Sequence, residues 1–430
     1  MGADWQTLTL EDAAVALIDC EHKTPPAAPV GFPYVAIPQL KHGRLELSEA
    51  RKISPHHLIE WTRRAKPQQH DIILSRRCNP GETAVVPVGV ECAVGQNLVL
   101  LRANGKRVFP PFLRWLVRSP AWWGQVGKFL NVGAVFDSLR CADVPRFELP
   151  IPPLGEQRAI AHILGTLDDK IELNRRTNET LEAMARALFK SWFVDFDPVR
   201  AKAAGKQPSG MDAATAALFP SEFVESEIGE IPKGWQVALI GDVGACIRDG
   251  VDPAAVPPDT PYIGLEHMPQ RSIALGAWSR AAAAQSQKAR YKQGDVLFGK
   301  LRPYFHKVGI APNDGVCSTD IVVVRPYPDR LGLALGHLSS SEFIAFTNAG
   351  SEGTRMPRTS WTRMSSYPIA LPEASTSAAL DRHVLPLVAE IRASLFEAAQ
   401  LATLRDALLP RLLSGELRIP DAERIAASAP

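Results

Sequence analysis

Two stretches of the chain carry apolar residues at a strict heptad period, and each of them predicts a long helix. In both stretches, two rows of positions seven residues apart interleave at spacings of four and three, and the second stretch lies 220 residues after the first. A 3.5-residue period sustained over more than four heptads is typical of a coiled coil. The rows of the first stretch are Ile160, Leu167, Asn174, Leu181 and Leu188, with Leu164, Ile171, Asn178, Ala185 and Trp192; those of the second are Leu380, Leu387, Ser394, Leu401 and Leu408, with Val384, Ile391, Ala398, Arg405 and Leu412.

The sequence before each heptad stretch has a different pattern, with short β-branched apolar runs bounded by Pro, Gly or Asn. Such runs predict strands, and two further segments predict short helices, so each block is predicted to be a mixed α+β domain. The predicted strands are Ile72–Leu74, Leu98–Leu101, Val296–Phe298 and Ile321–Val324, and the predicted helices are Pro110–Val117 and Glu342–Thr347.

The two blocks resemble each other in sequence. The offset between matching segments falls from 230 to 220 along the chain, as small loop insertions would produce. A period this long is too long for a solenoid and indicates a duplicated domain together with the element that follows it. The matching pairs are Trp5 with Trp235, Pro33–Ile37 with Pro261–Leu265, His70–Arg76 with Gly294–Lys300, Gln96–Arg102 with Thr319–Arg325, and Phe147–Pro152 with Tyr367–Pro372.

These patterns predict an α+β fold in which two homologous mixed α/β domains are separated by two long helices that form a coiled coil, as an internal repeat. Antiparallel pairing would set Asn174 and Asn178 opposite Ala398 and Ser394, a polar layer that fixes the register. The predicted segments are a first domain at 1–152, a helix at 153–192, an extended connector at 193–234, a second domain at 235–372, and a helix with a tail at 373–430.

Two prolines bear on the second helix. Pro386 is expected in its first turns, where a proline costs least, and Pro410 is expected to kink or end it.

Composition narrows the class of protein. The 430 residues are 46% hydrophobic and 22% charged, which suits two or three globular domains, and no apolar run approaches the roughly 20 residues of a membrane helix. The N-terminus has no apolar signal-peptide core, and the six cysteines lie far apart without a Cys-x-x-Cys pair. We therefore expect a cytoplasmic protein without a zinc knuckle or a short-range disulfide framework.

Motifs of catalysis are missing from the sequence. Gly294–Lys300 is similar to a P-loop, but Leu301 stands where Ser or Thr should bind magnesium. Asp19–Lys23 lacks the upstream Pro-Asp of a nuclease, and the His56–His57 pair is expected in a solvated loop. There is no Gly-x-Gly-x-x-Gly, no Gly-x-Ser-x-Gly and no Asn/Asp-Pro-Pro-Tyr/Phe motif. The sequence therefore predicts a binding protein with no metal or cofactor of its own.

The distribution of charge is weaker evidence about function than the missing motifs are. The net charge is only +2, yet both predicted domains have a small excess of Lys and Arg over Asp and Glu, while the connector and the C-terminal segment are acidic. Local basic excess suits contact with phosphate, although ordinary surface variation would look the same.

Several motifs resemble the specificity subunits of Type I restriction–modification systems. Leu149–Asn174 is similar to their central conserved region, and Leu404–Leu417 is similar to their C-terminal region. Lys190–Val199 and Gly229–Trp235 also match, so the resemblance covers the whole chain in order and spacing. Pro372–Ser377 departs from the pattern because it lacks the usual Glu-Gln pair, a change that concerns partner contacts rather than the fold.

The resemblance implies that each domain reads one half of a split target in double-stranded DNA. It also implies that the two helices pack as an antiparallel coiled coil, which relates the two domains by a pseudo-two-fold. The helices would act as a spacer and dock two methyltransferase (M) subunits, which bind S-adenosylmethionine, and through them restriction (R) subunits, which use ATP and Mg²⁺. The chain itself would be non-catalytic. The residues assigned to the coiled coil and its partners are Leu164, Leu167, Ile171, Asn174, Asn178, Leu181, Val384, Leu387, Ile391 and Leu401.

Candidate DNA-binding residues follow from chemistry. Arg, Lys and Asn or Gln side chains suit phosphates and base edges, and the best candidates follow predicted strand ends. Each of them also fits an ordinary solvated surface residue, and Tyr304 also fits turn packing. The candidates are Arg76, Arg77, Asn79, Gln96 and Asn97 in the first domain, and Lys300, Arg302, Tyr304, Lys307, Thr354, Arg355 and Arg358 in the second.

Two other functions remain as alternatives at this point. A nuclease or methyltransferase acting alone is disfavoured by the missing motifs, and a coiled-coil scaffold whose domains bind protein is disfavoured by the basic excess. If the DNA-reading function holds, the length of the helices predicts an unread gap of about five to eight base pairs between the half-sites.

Overall fold

The computed structural model describes residues 5–133, 136–283, 286–351 and 356–428. The chain divides into two compact units, one running up to Lys170 and resuming from Gln400, the other spanning Ile171–Ala399. Both boundaries fall inside the two long helices, so each unit contains one α+β domain and part of each helix. The division into functional segments made from the sequence stays a prediction.

The domain of the first unit is built from short strands with three short helices. Its strands are β1 (Gln6–Thr9), β2 (Val15–Asp19), β3 (Phe32–Val35), β4 (Leu40–Lys41), β5 (Arg44–Leu45), β6 (Arg51–Ile53), β7 (Ile72–Ser75), β8 (Thr83–Val85), β9 (Ala93–Val94), β10 (Leu98–Ala103) and β11 (Glu148–Ile151). Its helices are α1 (Pro55–Trp61), α2 (Pro110–Leu116) and α3 (Pro120–Phe129), and each begins with Pro, whose missing N–H costs nothing in the first turn.

The long helix α4 (Leu154–Phe193) follows and carries the chain into the second unit. The next elements are α5 (Asp197–Ala203), α6 (Ala213–Ala217), β12 (Phe223–Ser226) and β13 (Gly229–Pro232). The second domain has β14 (Gln236–Leu239), β15 (Gly244–Ile247), β16 (Gly250–Val251), β17 (Pro261–Ile263), β18 (Ser279–Arg280), β19 (Lys288–Tyr291), β20 (Val296–Gly299), β21 (Val308–Ile310), β22 (Gly315–Ser318), β23 (Ile321–Pro326), α7 (Leu331–Leu338), α8 (Ser341–Ala349), α9 (Trp361–Ser365) and β24 (Pro368–Leu371). The chain ends with α10 (Ala374–Leu413) and α11 (Ile419–Ala427).

The four-stranded sheets of the two domains have the same topology, while the second sheet has three strands in the first domain and five in the second. A four-stranded antiparallel sheet has the order β2-β10-β7-β8 in one domain and β15-β23-β20-β21 in the other. A second sheet contains a parallel pair in each domain, β3 with β9 and β17 with β22, and a small ladder joins β1 to β11 and β14 to β24. The domain duplication and the predicted strands and helices are therefore confirmed.

The repeat extends to individual ion pairs. The guanidinium of Arg102 donates two hydrogen bonds to the buried carboxylate of Asp71, at 2.8 and 2.6 Å, and that of Arg325 does the same to Asp295, at 2.8 and 2.7 Å. Both carboxylates also accept a backbone N–H at 2.8 Å, from Gln68 and from Lys292. Bidentate pairs of this kind fix geometry closely, and they hold the same two strands of the sheet together in each domain.

The two long helices run antiparallel where they meet in the second unit. The amide of Asn174 donates to the carboxylate of Glu397 at 2.7 Å, and the ring of Trp192 lies 5.7 Å from that of His383. The predicted polar layer is present, because Asn174, Asn178 and Ser394 are all buried. Glu397, next to the expected Ala398, is the residue that faces Asn174.

The buried face of α4 changes along its length. Leu164 and Leu167 are buried as the heptad predicts, but Leu181 and Leu188 are only half-buried. Glu182 and Phe189 are buried beside them and pack against the second domain, which explains the shift of the buried face by one residue.

The connector was wrongly expected to be extended. Residues 193–234 contain two short helices and a hairpin, and their aromatic side chains pack on Trp235. The ring of Phe196 lies 5.7 Å from Trp235, and Phe193 lies 5.5 Å from it on the other side. Burial of these aromatic rings outweighs the turn-forming Pro and Gly residues that suggested an extended chain.

The prediction for Pro386 was also wrong. Pro386 lies in the fourth turn of α10 rather than in its first turns, while Pro410 lies in the last turn and the helix ends three residues later, at Leu413. Residues on both sides of each proline are buried, including Val384, Ile391 and Leu412, and this packing offsets the missing hydrogen bond.

Candidate nucleic-acid interface

The candidates of the first domain meet at one end of its four-stranded sheet. Strand β7 ends at Ser75, and the next backbone N–H, that of Arg76, donates to the carbonyl of Asn97 at 2.9 Å. Gln96 and Asn97 immediately precede β10, the neighbouring strand. The antiparallel register therefore brings all five sequence candidates, Arg76, Arg77, Asn79, Gln96 and Asn97, to the same end of the sheet.

A loop around residues 131–140 lies against this strand end. Arg77 and Ser138 form an isolated antiparallel bridge, and the N–H of Leu139 donates to the carbonyl of Arg76 at 2.9 Å. The guanidinium of Arg76 is half-buried and donates to the carbonyl of Leu139 at 3.4 Å. Arg77, Asn79 and Gln96 are exposed, so they are free to reach an outside ligand.

The second domain repeats this arrangement. The N–H of Lys300 donates to the carbonyl of Asp320 at 2.9 Å, and the N–H of Thr359 donates to the carbonyl of Lys300 at 3.0 Å. Leu301 and Arg358 form the antiparallel bridge that corresponds to Arg77 and Ser138. Each strand end is therefore held between the neighbouring strand and a returning loop.

Both strand ends turn through a left-handed residue that is not glycine. Cys78 has φ +66° and Arg302, at the corresponding position, has φ +51°. This conformation is uncommon for residues with a Cβ, and such residues concentrate where a binding surface needs a sharply turned backbone. No sequence pattern predicts these left-handed turns, since neither cysteine nor arginine favours positive φ.

Some candidate side chains of the second domain already make hydrogen bonds or ion pairs within the domain, and others do not. Lys307 donates from Nζ to the carbonyl of Leu265 at 2.6 Å, and Arg358 pairs with Asp320 at 3.2 Å. Arg302 places its guanidinium 5.8 Å from the ring of Phe305, while Tyr304 is 49% exposed. Arg302 and Tyr304 are thus better placed than Lys307 to meet a ligand; Thr354 and Arg355 lie outside the described residues.

Two groups of side chains have the composition of metal ligands. Asp19, Cys20 and His22 form one, and His56, His57 and Glu60 on α1 form the other. The Cys20 thiol lies 2.9 and 3.1 Å from the carbonyls of Leu98 and Gly95, and burial raises its pKa to about 11. Cys20 is engaged with backbone carbonyls inside the domain in this structure.

A buried carboxylate fastens the first domain to both long helices. Asp168, on α4, is fully buried and pairs with Arg44 of the domain at 2.8 Å and with Arg405 of α10 at 2.6 Å. Arg114 of α2 contacts the same carboxylate. Burial acts to raise the pKa of Asp168, but these three guanidinium groups outweigh it and hold the pKa below its usual value.

A second buried carboxylate fastens the second domain. Glu182, also on α4, accepts hydrogen bonds from the backbone N–H groups of Ile273 and Ala274, both at 3.1 Å, and from the Ser272 hydroxyl at 2.7 Å. The two anchoring acids lie 14 residues apart on one helix, which is two heptads. Sequence reasoning missed both, because it assigned the helix only to its partner helix.

Comparison with known proteins finds relatives of one kind. Residues 3–183 match the model of the Type I restriction modification DNA specificity domain. The chain is also 27% identical over 378 residues to the specificity subunit of the Type I restriction enzyme HindI of Haemophilus influenzae, covering 75% of this chain and 81% of the relative. The first part of the chain is therefore similar to this DNA specificity domain, and most of the chain is similar to a Type I specificity subunit.

Other comparisons agree with this similarity. The MjaIX specificity subunit of Methanocaldococcus jannaschii is 24% identical to this chain, covering 79% of this chain and 77% of the relative. The crystal structure of the S subunit from M. genitalium has the same fold, with a TM-score of 0.55 at 13% identity and 96% of each chain covered. The relatives are named specificity subunits, which agrees with a non-catalytic, DNA-recognising role. No helix in the described ranges combines the length and the apolar character that crossing a membrane requires.

Glu156 and Gln157 are the Glu-Gln pair of the central conserved region, and both make contacts inside the chain. The carboxylate of Glu156 accepts from the indole N–H of Trp5 at 2.9 Å. The fully buried amide of Gln157 accepts from the N–H of Phe109 at 2.7 Å and donates to the carbonyls of Arg107 and Pro152. The pair therefore fastens the first domain to the start of α4.

The second conserved region lacks the Glu-Gln pair, and a different residue makes the corresponding contact there. Ser377, 220 residues after Gln157, is buried, and its hydroxyl has no hydrogen-bond partner among the described residues. One turn later, Asp381 accepts from the N–H groups of Leu331 and Gly332 at 3.0 and 2.6 Å, at the start of α7. Asp381 thus fastens the second domain to α10 as Gln157 fastens the first domain to α4.

Proposed function

We propose that this chain is a Type I specificity subunit that reads a bipartite target in double-stranded DNA, with one domain on each half-site, and that its helix pair docks two methyltransferase (M) subunits and, through them, restriction (R) subunits. One observation carries the proposal. The same strand-end arrangement, with its bridge, its returning loop and its left-handed turn at Cys78 or Arg302, occurs once in each domain. Two copies of one reading surface suit two half-sites.

The side chains at each strand end have the chemistry that DNA requires. Exposed Arg77, Asn79 and Gln96 in the first domain, and Arg302 with Tyr304 in the second, offer donors in fork geometry and an aromatic face. Arg pairs with phosphates or with guanine, and Asn or Gln with adenine. Because the two sets differ in sequence, the two half-sites are proposed to differ as well.

The outer faces of the helices support the docking of partners. Leu173 and Met184 on α4 are 61% and 52% exposed, and Leu385 on α10 is 49% exposed. Apolar side chains exposed on a helix whose other face is buried suit a protein contact. The duplicated helices offer two related surfaces, which is the arrangement that two copies of one partner require.

The chemistry of modification is proposed to reside in the partners. M subunits would bind S-adenosylmethionine, R subunits would use ATP with Mg²⁺, and this chain would bind none of them. We expect the purified chain with S-adenosylmethionine to transfer no methyl group to DNA, and the same preparation with M subunits to do so. Methyl transfer by rigorously purified chain alone would refute this part of the proposal.

The division of labour between the domains is tested by paired substitutions. We expect Lys300→Ala with Arg302→Ala to relax or weaken one half-site only, and Arg76→Ala with Arg77→Ala to affect the other. A lost base contact should cost about 1–3 kcal/mol at one position, whereas a lost phosphate contact should weaken binding uniformly and reduce the salt slope by about one. Sequencing of methylated DNA from cells that express each complex shows which half-site changes.

A matched control removes the same charge elsewhere. Arg63 and Arg64 are adjacent, exposed and at the end of α1, so Arg63→Ala with Arg64→Ala should leave both half-sites unchanged. If each domain variant alters both half-sites, or neither variant alters the methylated motif, one domain does not read one half-site through these residues.

A further inference from the structure

The loops that return against the two strand ends each carry a large exposed apolar side chain at the same place. Phe136, two residues before the bridge residue Ser138, is 58% exposed, and Met356, two residues before the bridge residue Arg358, is 46% exposed. The two positions differ by 220, the offset of this part of the repeat. The residue type differs between the copies, but size, apolar character and exposure are alike.

Backbone contacts place Phe136 beside the strand end. A Cβ on Gly133 would lie 2.4 Å from the carbonyl oxygen of Phe136, so these two residues are close together. Asn131 and Ser138 exchange backbone hydrogen bonds at 2.9 and 3.0 Å. Phe136 therefore lies within two residues of the bridge residue Ser138, which contacts the strand end.

The surroundings of both side chains are basic and polar. Arg77 bridges to Ser138, and exposed Arg140 follows on the same loop. Arg358 bridges to Leu301, and the N–H of Arg302 donates to the carbonyl of Pro357, next to Met356, at 2.7 Å. Each apolar side chain therefore lies on a loop that also carries arginine, although Arg358 is paired with Asp320 and Asp137 adjoins Phe136. A protein partner would bury such a side chain among apolar groups, whereas arginine on the same loop complements phosphates.

We propose that Phe136 and Met356 are wedges, each of which inserts between stacked bases of the half-site read by its own domain. Apolar side chains that enter a base step partly unstack it, and contacts between the protein and the bent or opened DNA compensate for the lost stacking. The flanking arginines bind the phosphates on either side of the opened step. The proposal rests on the DNA-reading function above and adds a distortion of the DNA at one step in each half-site.

The test uses the complex of the chain with its M subunits and duplexes that contain the methylated motif. 2-Aminopurine replaces one base at a time in each half-site, because its fluorescence rises when its stacking is broken. The base that is methylated is left unreplaced, because methyltransferases flip their target base out of the stack. We expect a rise at one step in each half-site on binding. Phe136→Ala should abolish the rise in one half-site only, Met356→Ala in the other only, and each should weaken binding about tenfold.

Controls separate a wedge from a general apolar contact. Phe136→Trp keeps a large apolar side chain and should keep the fluorescence rise. Ile59→Ala removes a side chain that is 68% exposed on α1, outside the loop, and should change neither fluorescence nor binding.

Two results would overturn the wedge. One is a fluorescence rise that persists in Phe136→Ala and Met356→Ala. The other is loss of M subunits from these variants with DNA distortion unchanged, which would make the loops protein contacts. Failure of the wild-type complex to prefer its motif over random DNA would instead contradict the DNA-reading function itself.

Discussion

At the scale of single residues, Asp168→Asn removes the negative charge that faces Arg44, Arg114 and Arg405. Three guanidinium groups would then share a buried site without their carboxylate, so we expect the free energy of unfolding of the first unit to fall by about 3–5 kcal/mol. Urea denaturation followed by tryptophan fluorescence measures this. Asp169→Asn, at the exposed neighbour, is the matched control and should cost less than about 0.5 kcal/mol. Equal losses in the two variants would contradict the anchoring role.

The lowered pKa of Asp168 predicts how its contribution to stability changes with pH: the contribution decreases in acid. Burial opposes ionisation, but Arg114, Arg44 and Arg405 lower the pKa below the usual value of about 3.9. A carboxylate with a lowered pKa in the folded state stabilises the fold above its ordinary pKa and ceases to do so as pH falls through the lowered value. We expect the stability difference between wild type and Asp168→Asn to be constant near neutral pH and to shrink below about pH 4. A difference that grows on acidification would exclude an ionised Asp168.

Gln157 and Ser377 hold corresponding positions in the two conserved regions and should respond differently to the same change. Gln157→Ala leaves the N–H of Phe109 and two carbonyls without their partner, and each orphaned group costs about 1–3 kcal/mol. Ser377→Ala removes a buried hydroxyl that has no described partner, so it should be neutral or slightly stabilising. Thermal unfolding of both variants measures the contrast, and similar destabilisation by both would mean that Asp381 has not taken over the anchoring role.

At the scale of elements, the heptad seam is tested by Leu167→Glu with Ile171→Glu. Leu167 is buried and Ile171 half-buried, and an unpaired charge there should destabilise the helix pair by several kcal/mol and release the M subunits. Leu173→Glu lies on the same helix at a position that is 61% exposed, and it should leave the helix pair folded. It is a control for circular dichroism only, because Leu173 belongs to the face proposed to dock the M subunits. Circular dichroism and co-purification measure both effects. Retention of partners at unchanged stoichiometry in the double variant would show that the seam is misassigned.

Periodicity explains why the elements were largely predictable. Helices α4 and α10 begin within two residues of the predicted boundaries, because a seven-residue apolar repeat is a strong signal that packing reinforces. Residues 193–234 were mispredicted because Pro and Gly mark turns, whereas the burial of Phe196 and Phe219 around Trp235 is a tertiary effect. The position of Pro386 was mispredicted for the same reason, since buried residues on both sides of it keep the helix intact.

The location of the candidate site could be predicted from the sequence, but the conformation of its loops and turns could not. The repeat located the strand ends at Arg76 and Lys300, because corresponding segments share a register. The returning loops, the turns at Cys78 and Arg302 and the engagement of Lys307 by the Leu265 carbonyl depend on contacts between residues far apart in sequence. The anchoring acids Asp168 and Glu182 were hidden because their arginine and backbone partners come from other elements.

At the scale of the whole molecule, the helices are proposed to set the gap between the half-sites. The two anchoring acids, one for each domain, are separated by 14 residues of α4, or about 21 Å of helix. Because Asn174 faces Glu397, residues 171–177 of α4 lie opposite residues 394–400 of α10. Deleting both segments removes one matched heptad, keeps the remaining seam in phase and shortens the helix pair by about 10.5 Å.

The most direct measurement of the central claim is the methylated motif of this double deletion, compared with that of wild type by sequencing DNA from cells that express each complex. At about 3.4 Å per base pair, we expect the gap to contract by roughly three base pairs while both half-sites keep their sequence. Duplicating the same two segments should lengthen the gap by the same amount. A folded, methylating complex whose gap stays unchanged in both variants would contradict the claim that two reading domains are held apart by this helix pair.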